Sequence, residues 1–204
     1  VAIADRLQQL LLHPLRIVNV EMSLDCQFGI AAYPHDADTG EELVRRAAIA
    51  MHDAAQQPGR LQVYQQGRDD AHQRQINLIR DLRRAPAQAE LQLHYQPKLN
   101  LNSGRVEQAE ALLRWQHPSY GMVSPAEFIP LAERTGSIQL LTMWVIAEAL
   151  RQLQEWAGTG LSLQLSVNVS ADDLHDAQLA VKVAQLLTEY QVPASQLIFE
   201  ITES

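Results

Sequence analysis

The chain has 204 residues, 47% of them hydrophobic and 20% charged, and a formal net charge of −8. This is an ordinary globular composition, long enough for one large or two small domains. The acidity argues against a nucleic-acid polymer as partner on electrostatic grounds, although one local arginine can still hold a small anion, and without an apolar run of about 18 residues no membrane span, and no membrane contact from this segment, is expected.

The first residues read as a helix to about Leu12, with Ile3, Leu7, Leu10 and Leu11 on one side and Pro14 as the breaker. Val18 to Tyr33 alternates as a β-hairpin would, turning near Ser23–Asp25. The single Cys26 cannot form an internal disulfide, which suits a reducing cytosol, and is expected in a strand as a small apolar residue. Thr39 and Glu42 make a capping box for a helix through Gln57, which Pro58 and Gly59 stop. Leu61 to Tyr64 is a short strand. Residues 67–89 are polar, with a modest apolar stripe of Ile76, Leu78, Ile79 and Leu82. They read as a connecting helix that ends near Pro86, its charges a solvated face.

From Leu91 strands alternate with helices. Leu91–Pro97 and Arg105–Gln116 are strands joined by the tight turn Asn102-Ser103-Gly104, which makes them antiparallel. Ser124, Pro125 and Glu127 start a helix, and a long one follows from about Ile138 to Trp156, ended by Gly158 and Gly160. Leu161–Val169 is a strand, Ser170 with Asp173 caps the next turn, and a helix covers roughly 176–190. After Pro193, Gln196–Thr202 is a strand. Units of this spacing predict an α/β fold with a parallel sheet and helical crossovers. The first residue is Val1 and the last apolar strand reaches almost to Ser204, so the chain is expected to be a piece of a longer one.

Chemistry concentrates in Glu110-Ala111-Leu112-Leu113-Arg114-Trp115. Strand parity puts Glu110, Leu112 and Arg114 on one face. An acid and a guanidinium beside an apolar residue can hold a metal ion and a phosphate together, or simply pair with each other at a solvated face. Ser166, Asn168 and Ser170 share the polar face of the Leu161–Val169 strand, and Glu200 sits among apolar neighbours in Ile198-Phe199-Glu200-Ile201. Two carboxylates and an amide oxygen are hard donors suited to Mg²⁺, Mn²⁺ or Ca²⁺ and poor for zinc or copper. The bland readings are an Asn168 bonded to its own backbone, a Glu200 facing water on an edge strand, and a Gln96 that is only a turn residue before Pro97. His35, His52, His72, His94, His117 and His175 lack metal-ligand spacing and read as surface or packing residues.

Several segments resemble an EAL domain, in the family's order: Leu93-His94-Tyr95-Gln96-Pro97-Lys98, Glu110 to Trp115, His117-Pro118, Gly121, Ser124 to Pro130, Ala132-Glu133, Val167-Asn168-Val169-Ser170 and Glu200 to Ser204. The resemblance implies a modified TIM barrel with an antiparallel first strand. It also implies hydrolysis of the bacterial second messenger cyclic di-GMP to linear pGpG with two Mg²⁺ or Mn²⁺ ions. By motif, Glu110, Asn168 and Glu200 would be metal ligands, Glu110 the catalytic one among them, and Gln96, Leu112 and Arg114 would contact substrate. The first block is similar to the end of a GGDEF domain, through Phe28 to Pro34 and the helix Ala47 to Ala55. There Ala48, His52 and Ala55 replace the usual Asp, Tyr and Lys, and the signature loop does not occur, so this block is expected to be degenerate.

The implied organisation is a GGDEF-like remnant at 1–66, a connecting helix at 67–89 and the first half of an EAL domain at 90–204, an incomplete (β/α) barrel of TIM type. The expected activity is cyclic di-GMP hydrolysis in the parent protein, with this segment inactive alone. The rival is a non-catalytic cyclic di-GMP receptor of the same architecture. A cytoplasmic location is expected, with tethering through other segments of the parent allowed, and so is a homo-oligomer through the EAL part.

Overall fold

The computed structural model describes the chain except residues 1, 12–13, 19, 23, 25, 56–59 and 202–204. It divides into two compact units, Val1–Ile76 and Asn77–Ser204. Among the described residues no helix is long and apolar enough to cross a membrane.

In the first unit, helix α1 (Ala2–Leu11) precedes strands β1 (Leu15–Ile17) and β2 (Val20–Met22), which pair antiparallel. Strand β3 (Phe28–Ile30) pairs parallel with β4 (Leu61–Val63), and helix α2 (Gly40–Ala54) lies between them in sequence. This corrects the expected hairpin over 18–33. The hairpin lies earlier, at 15–22, and Phe28–Ile30 takes a partner more than thirty residues downstream. The expected turn residues Ser23 and Asp25, and the helix stop at Pro58-Gly59, lie outside the described residues. Cys26 is in a non-strand segment and partly buried, which corrects its expected place in a strand.

Gly29 is required by close packing. A Cβ there would meet Ala47 O at 2.1 Å and Met51 N at 2.2 Å, so any side chain would push β3 off the backbone of α2. The Thr39 hydroxyl accepts from Glu42 N–H at 3.2 Å, as an N-cap should. The Glu42 carboxylate instead accepts from Asp38 N–H at 3.3 Å, so the reciprocal half of the box goes one residue upstream. Asp69 gathers Arg45, Arg46 and the Tyr64 hydroxyl around one carboxylate.

Helix α3 (Arg68–Leu82) carries Leu78 and Leu82 into the core of the second unit. It ends four residues before Pro86, and turns fill the gap up to β5 (Leu91–Asn100). Strand β5 pairs antiparallel with β6 (Arg105–His117) around a turn in which Gly104 has φ +67. A short β7 (Gly121–Val123), absent from the sequence reading, folds back on the end of β6. Helix α4 (Pro125–Arg134) starts at Ser124 with proline in its first turn but without a side-chain cap bond, so the expected capping box does not form. Helix α5 (Ile138–Gly158) leads to β8 (Gln164–Val169), parallel to β6. The Ser170–Asp173 capping box is complete on the short helix α6 (Ala171–Leu174). Helix α7 (Leu179–Glu189) and β9 (Leu197–Ile201), parallel to β8, follow.

The resulting strand order is β5-β6-β8-β9, with β7 beside β6. The sheet is open among the described residues, so a closed barrel is not formed. One face is apolar: Ala109 and Ala111 of β6 and Leu165 and Val167 of β8 pack with Val145, Ile146, Ala149 and Leu150 of α5. At the other end of β6, fully buried Trp115 meets Phe128 edge-on at 5.5 Å and donates Nε1 to Glu90 at 3.0 Å. Because strand side chains alternate, burying this face directs Glu110, Leu112, Arg114, Ser166, Asn168 and Glu200 to the opposite one.

Candidate active site on the polar face of the sheet

Register decides which of these side chains meet. Gln96 lies directly opposite Glu110 on the β5–β6 ladder. Glu110 is level with Ser166, and Asn168 is level with Glu200. Glu110 and Asn168 meet directly: Asn168 Nδ2 donates to Glu110 Oε1 at 2.9 Å, leaving the amide oxygen as the acceptor end of that side chain.

Lys98 closes the group. Its ammonium donates to Ser166 Oγ at 2.9 Å, forms an ion pair with Glu200 and stands 3.7 Å from Glu110 Oε2. Three inter-strand steps of about 4.8 Å separate the backbones of β5 and β9, so the sheet curls around this face for Lys98 to reach Glu200. The hydrogen bond from Lys98 is the main cause that holds the Glu200 carboxyl below its ordinary range, and the same bond raises the Lys98 ammonium.

The simple alternative of a Glu110–Arg114 pair is not what forms. Arg114 Nη1 donates to the Leu113 carbonyl at 2.9 Å, and its side chain lines a cavity of about 220 Å³ together with Leu112, Pro125, Ile129 and Asn168. The carboxylate cluster and this largely apolar cleft are adjacent, with Asn168 belonging to both. Gln96 is exposed on the same ladder rung as Glu110. Glu200 is neither simply solvated nor buried, with its side chain 37% exposed.

Among the described residues no three or more His, Cys, Asp or Glu side chains gather as metal ligands. The cluster instead offers two carboxylates and a hydroxyl around a position that the Lys98 ammonium fills as a stand-in cation, with the Asn168 amide bonded to one of the carboxylates, all of them hard oxygen donors. Sequence reasoning gave no role to Lys98 or Ser166. Parity was the available signal: Lys98 is two residues from Gln96, and Ser166 two from Asn168.

The EAL domain family model matches residues 79–204. The chain belongs to the EAL domain family. Over 204 residues it is 37% identical to the bifunctional diguanylate cyclase/cyclic di-GMP phosphodiesterase MucR of Pseudomonas aeruginosa, covering 99% of this chain and 30% of that protein. It is 35% identical to the cyclic di-GMP phosphodiesterase PdeR of Escherichia coli over 205 residues, covering 31% of it. It thus spans about a third of the length of these curated relatives. Among solved structures, the MucR phosphodiesterase in complex with c-di-GMP is 42% identical with a TM-score of 0.59, over 63% of this chain and 52% of that one. The FimX EAL domain of Xanthomonas citri in complex with c-diGMP is 30% identical with a TM-score of 0.59, over 66% and 52%. Strands β5 to β9 all lie in the matched residues, and β5, β6, β8 and β9 carry every side chain of the cluster.

Proposed function

We propose that this chain carries part of the active site of a metal-dependent cyclic di-GMP phosphodiesterase, on the polar face of its EAL sheet. The observation that carries the reading is the meeting of Glu110 and Glu200, from two strands, at one cationic position, with Asn168 of a third strand bonded to Glu110. Two Mg²⁺ or Mn²⁺ ions held by Glu110, Asn168 and Glu200, with other ligands from the parent protein, would supply Lewis acidity to the phosphate and lower the pKa of a water. The reaction adds water to one phosphorus and breaks its bond to a ribose oxygen, which leaves as the hydroxyl of linear pGpG.

The residues of this chain position that exchange. Arg114 offers a planar guanidinium fork to a phosphate at the mouth of the cleft. Leu112 gives the cleft an apolar wall against which a guanine can lie. Gln96 offers an amide on the rung of Glu110. Glu110, held by Asn168, presents one carboxylate in a fixed orientation.

The reading divides the chain as 1–66, 67–89 and 90–204: a degenerate GGDEF-like block, a connector and an EAL part. The β3–α2–β4 unit and the close approach at Gly29 support the first assignment, as does the MucR match, which extends over 99% of the chain. Ala48, His52 and Ala55 give that block a structural or regulatory role without cyclase activity. The cytoplasm, where the messenger circulates, is the proposed location.

The test is cyclic di-GMP hydrolysis by the intact protein with Mg²⁺ or Mn²⁺, against its Glu110→Gln variant. Hydrolysis that disappears in the variant is the expected result. Undiminished turnover would remove Glu110 from the site, and binding of the nucleotide without product in the unaltered protein would make it a receptor.

A further inference from the structure

Lys98 enters the cluster from β5, the strand that carries neither Glu110, Asn168 nor Glu200. Its ammonium has three protons to donate, and it spends them where anionic and polar oxygens crowd: on Ser166 Oγ at 2.9 Å, on Glu200, and towards Glu110 Oε2 at 3.7 Å. Ser166 itself is only 1% exposed, so one end of this contact is fixed in the buried sheet. A register shift between Lys98 and Leu99 marks a bulge or irregularity on the ladder, the kind of feature that re-aims a side chain next to a site. The Lys98 side chain is 35% exposed and has room to leave.

We propose that Lys98 is a built-in competitor for the divalent cation: its ammonium holds the Glu110–Glu200 position when metal is scarce and must swing out when metal binds. The inference rests on the metal-site reading above. The physical reason is exclusion. A divalent ion bonds carboxylate oxygens at about 2.0–2.6 Å, so it and the ammonium cannot occupy the same point between the Glu200 and Glu110 carboxylates. Like-charge repulsion adds to this steric conflict. Lys98 therefore sets the metal concentration at which the site fills. Without it, two carboxylates would face one concavity and the empty site would be less stable.

The test is Mn²⁺ binding to the intact protein by calorimetry and by the metal-dependent rise in Tm. The proteins compared are the unaltered chain, Lys98→Met, which keeps the aliphatic stem, Lys98→Arg, which keeps the charge, and Glu110→Gln. Partly exposed ion pairs contribute up to about 1 kcal/mol, so Lys98→Met should bind Mn²⁺ roughly two- to fivefold more tightly. It should have a lower Tm without metal and gain more on its addition. Lys98→Arg should stay within about twofold of the unaltered protein, since the positive charge is retained. Lys98→Gln repeats the charge removal if Lys98→Met does not fold. An unchanged or weaker Mn²⁺ affinity in the charge-free variants, while Glu110→Gln still loses binding, overturns the role of Lys98 and leaves the metal site standing. Mn²⁺ binding that Glu110→Gln does not alter overturns the metal site and this inference with it.

Discussion

Asn168 of β8 donates its side-chain amide to Oε1 of Glu110 on β6 at 2.9 Å, across 58 positions of sequence. The bond orients a carboxylate on a face otherwise organised by Lys98, and ties the carboxylate cluster to the cleft that holds Leu112 and Arg114. Removing Asn168 leaves Glu110 with only the longer contact to Lys98, and removing Glu110 takes away the acceptor of the Asn168 amide.

Asn168→Asp puts a third carboxylate against Glu110 and Glu200. Without metal the variant should melt several degrees lower, because like charges then oppose each other. Saturating Mg²⁺ should restore more of its Tm than it adds to the unaltered protein. Differential scanning fluorimetry with and without Mg²⁺ checks this, and an equal metal-induced rise in both proteins would contradict it.

Asp173 is 1% exposed, and its Oδ2 accepts from Thr142 Oγ1 at 2.8 Å, Ser170 N at 2.9 Å and Ser170 Oγ at 2.8 Å. Asp173→Ala orphans these donors just after the strand that presents Asn168. It should lower the unfolding free energy by about 2–3 kcal/mol in urea titrations. Asp173→Asn, which keeps an acceptor oxygen, should lose clearly less.

In the first unit, Gly29→Ala would drive a methyl group against the backbone of α2 at Ala47 O and Met51 N. Backbone cannot rotate aside as a side chain can, so destabilisation should reach about 3 kcal/mol. Hydrogen exchange read over Phe28–Ile30 and Gly40–Ala54 should show the loss of protection. Unaltered protection in both would contradict the packing argument.

Asp81 makes a two-point pair with Arg80, both contacts at 2.8 Å, and lies 3.4 Å from Nε2 of buried His117. The Arg80 hydrogen bond, assisted by His117, holds its carboxyl below the ordinary range. A depressed carboxylate stabilises the fold fully above its unfolded pKa, and that contribution disappears as pH falls through the native pKa. Asp81→Asn should therefore flatten the acid side of the stability profile below about pH 4. Near pH 7 it should lower stability by up to about 1 kcal/mol, since the pair is partly exposed. Urea midpoints measured across that range decide the matter.

Local devices were legible in the sequence. The Ser170–Asp173 box spans four residues, and its bonds depend on nothing outside them. The Gly104 turn fixed β5 and β6 as antiparallel neighbours. Period-2 alternation placed Glu110, Leu112 and Arg114 on one face, because pleating holds whatever the strand pairs with. Pairing between distant strands was not legible. Phe28–Ile30 read as half of a local hairpin, yet it pairs with Leu61–Val63 through a crossover. Nothing in the local pattern distinguishes a near partner from a far one when both are short and apolar. Nor could sequence tell that Arg114 would bond a backbone carbonyl rather than Glu110, or that Lys98 would reach Glu200. By itself the sequence determined which residues share a face. Only the register between strands and the curl of the sheet decided which of them touch, because both are set jointly by packing contacts far apart in the chain.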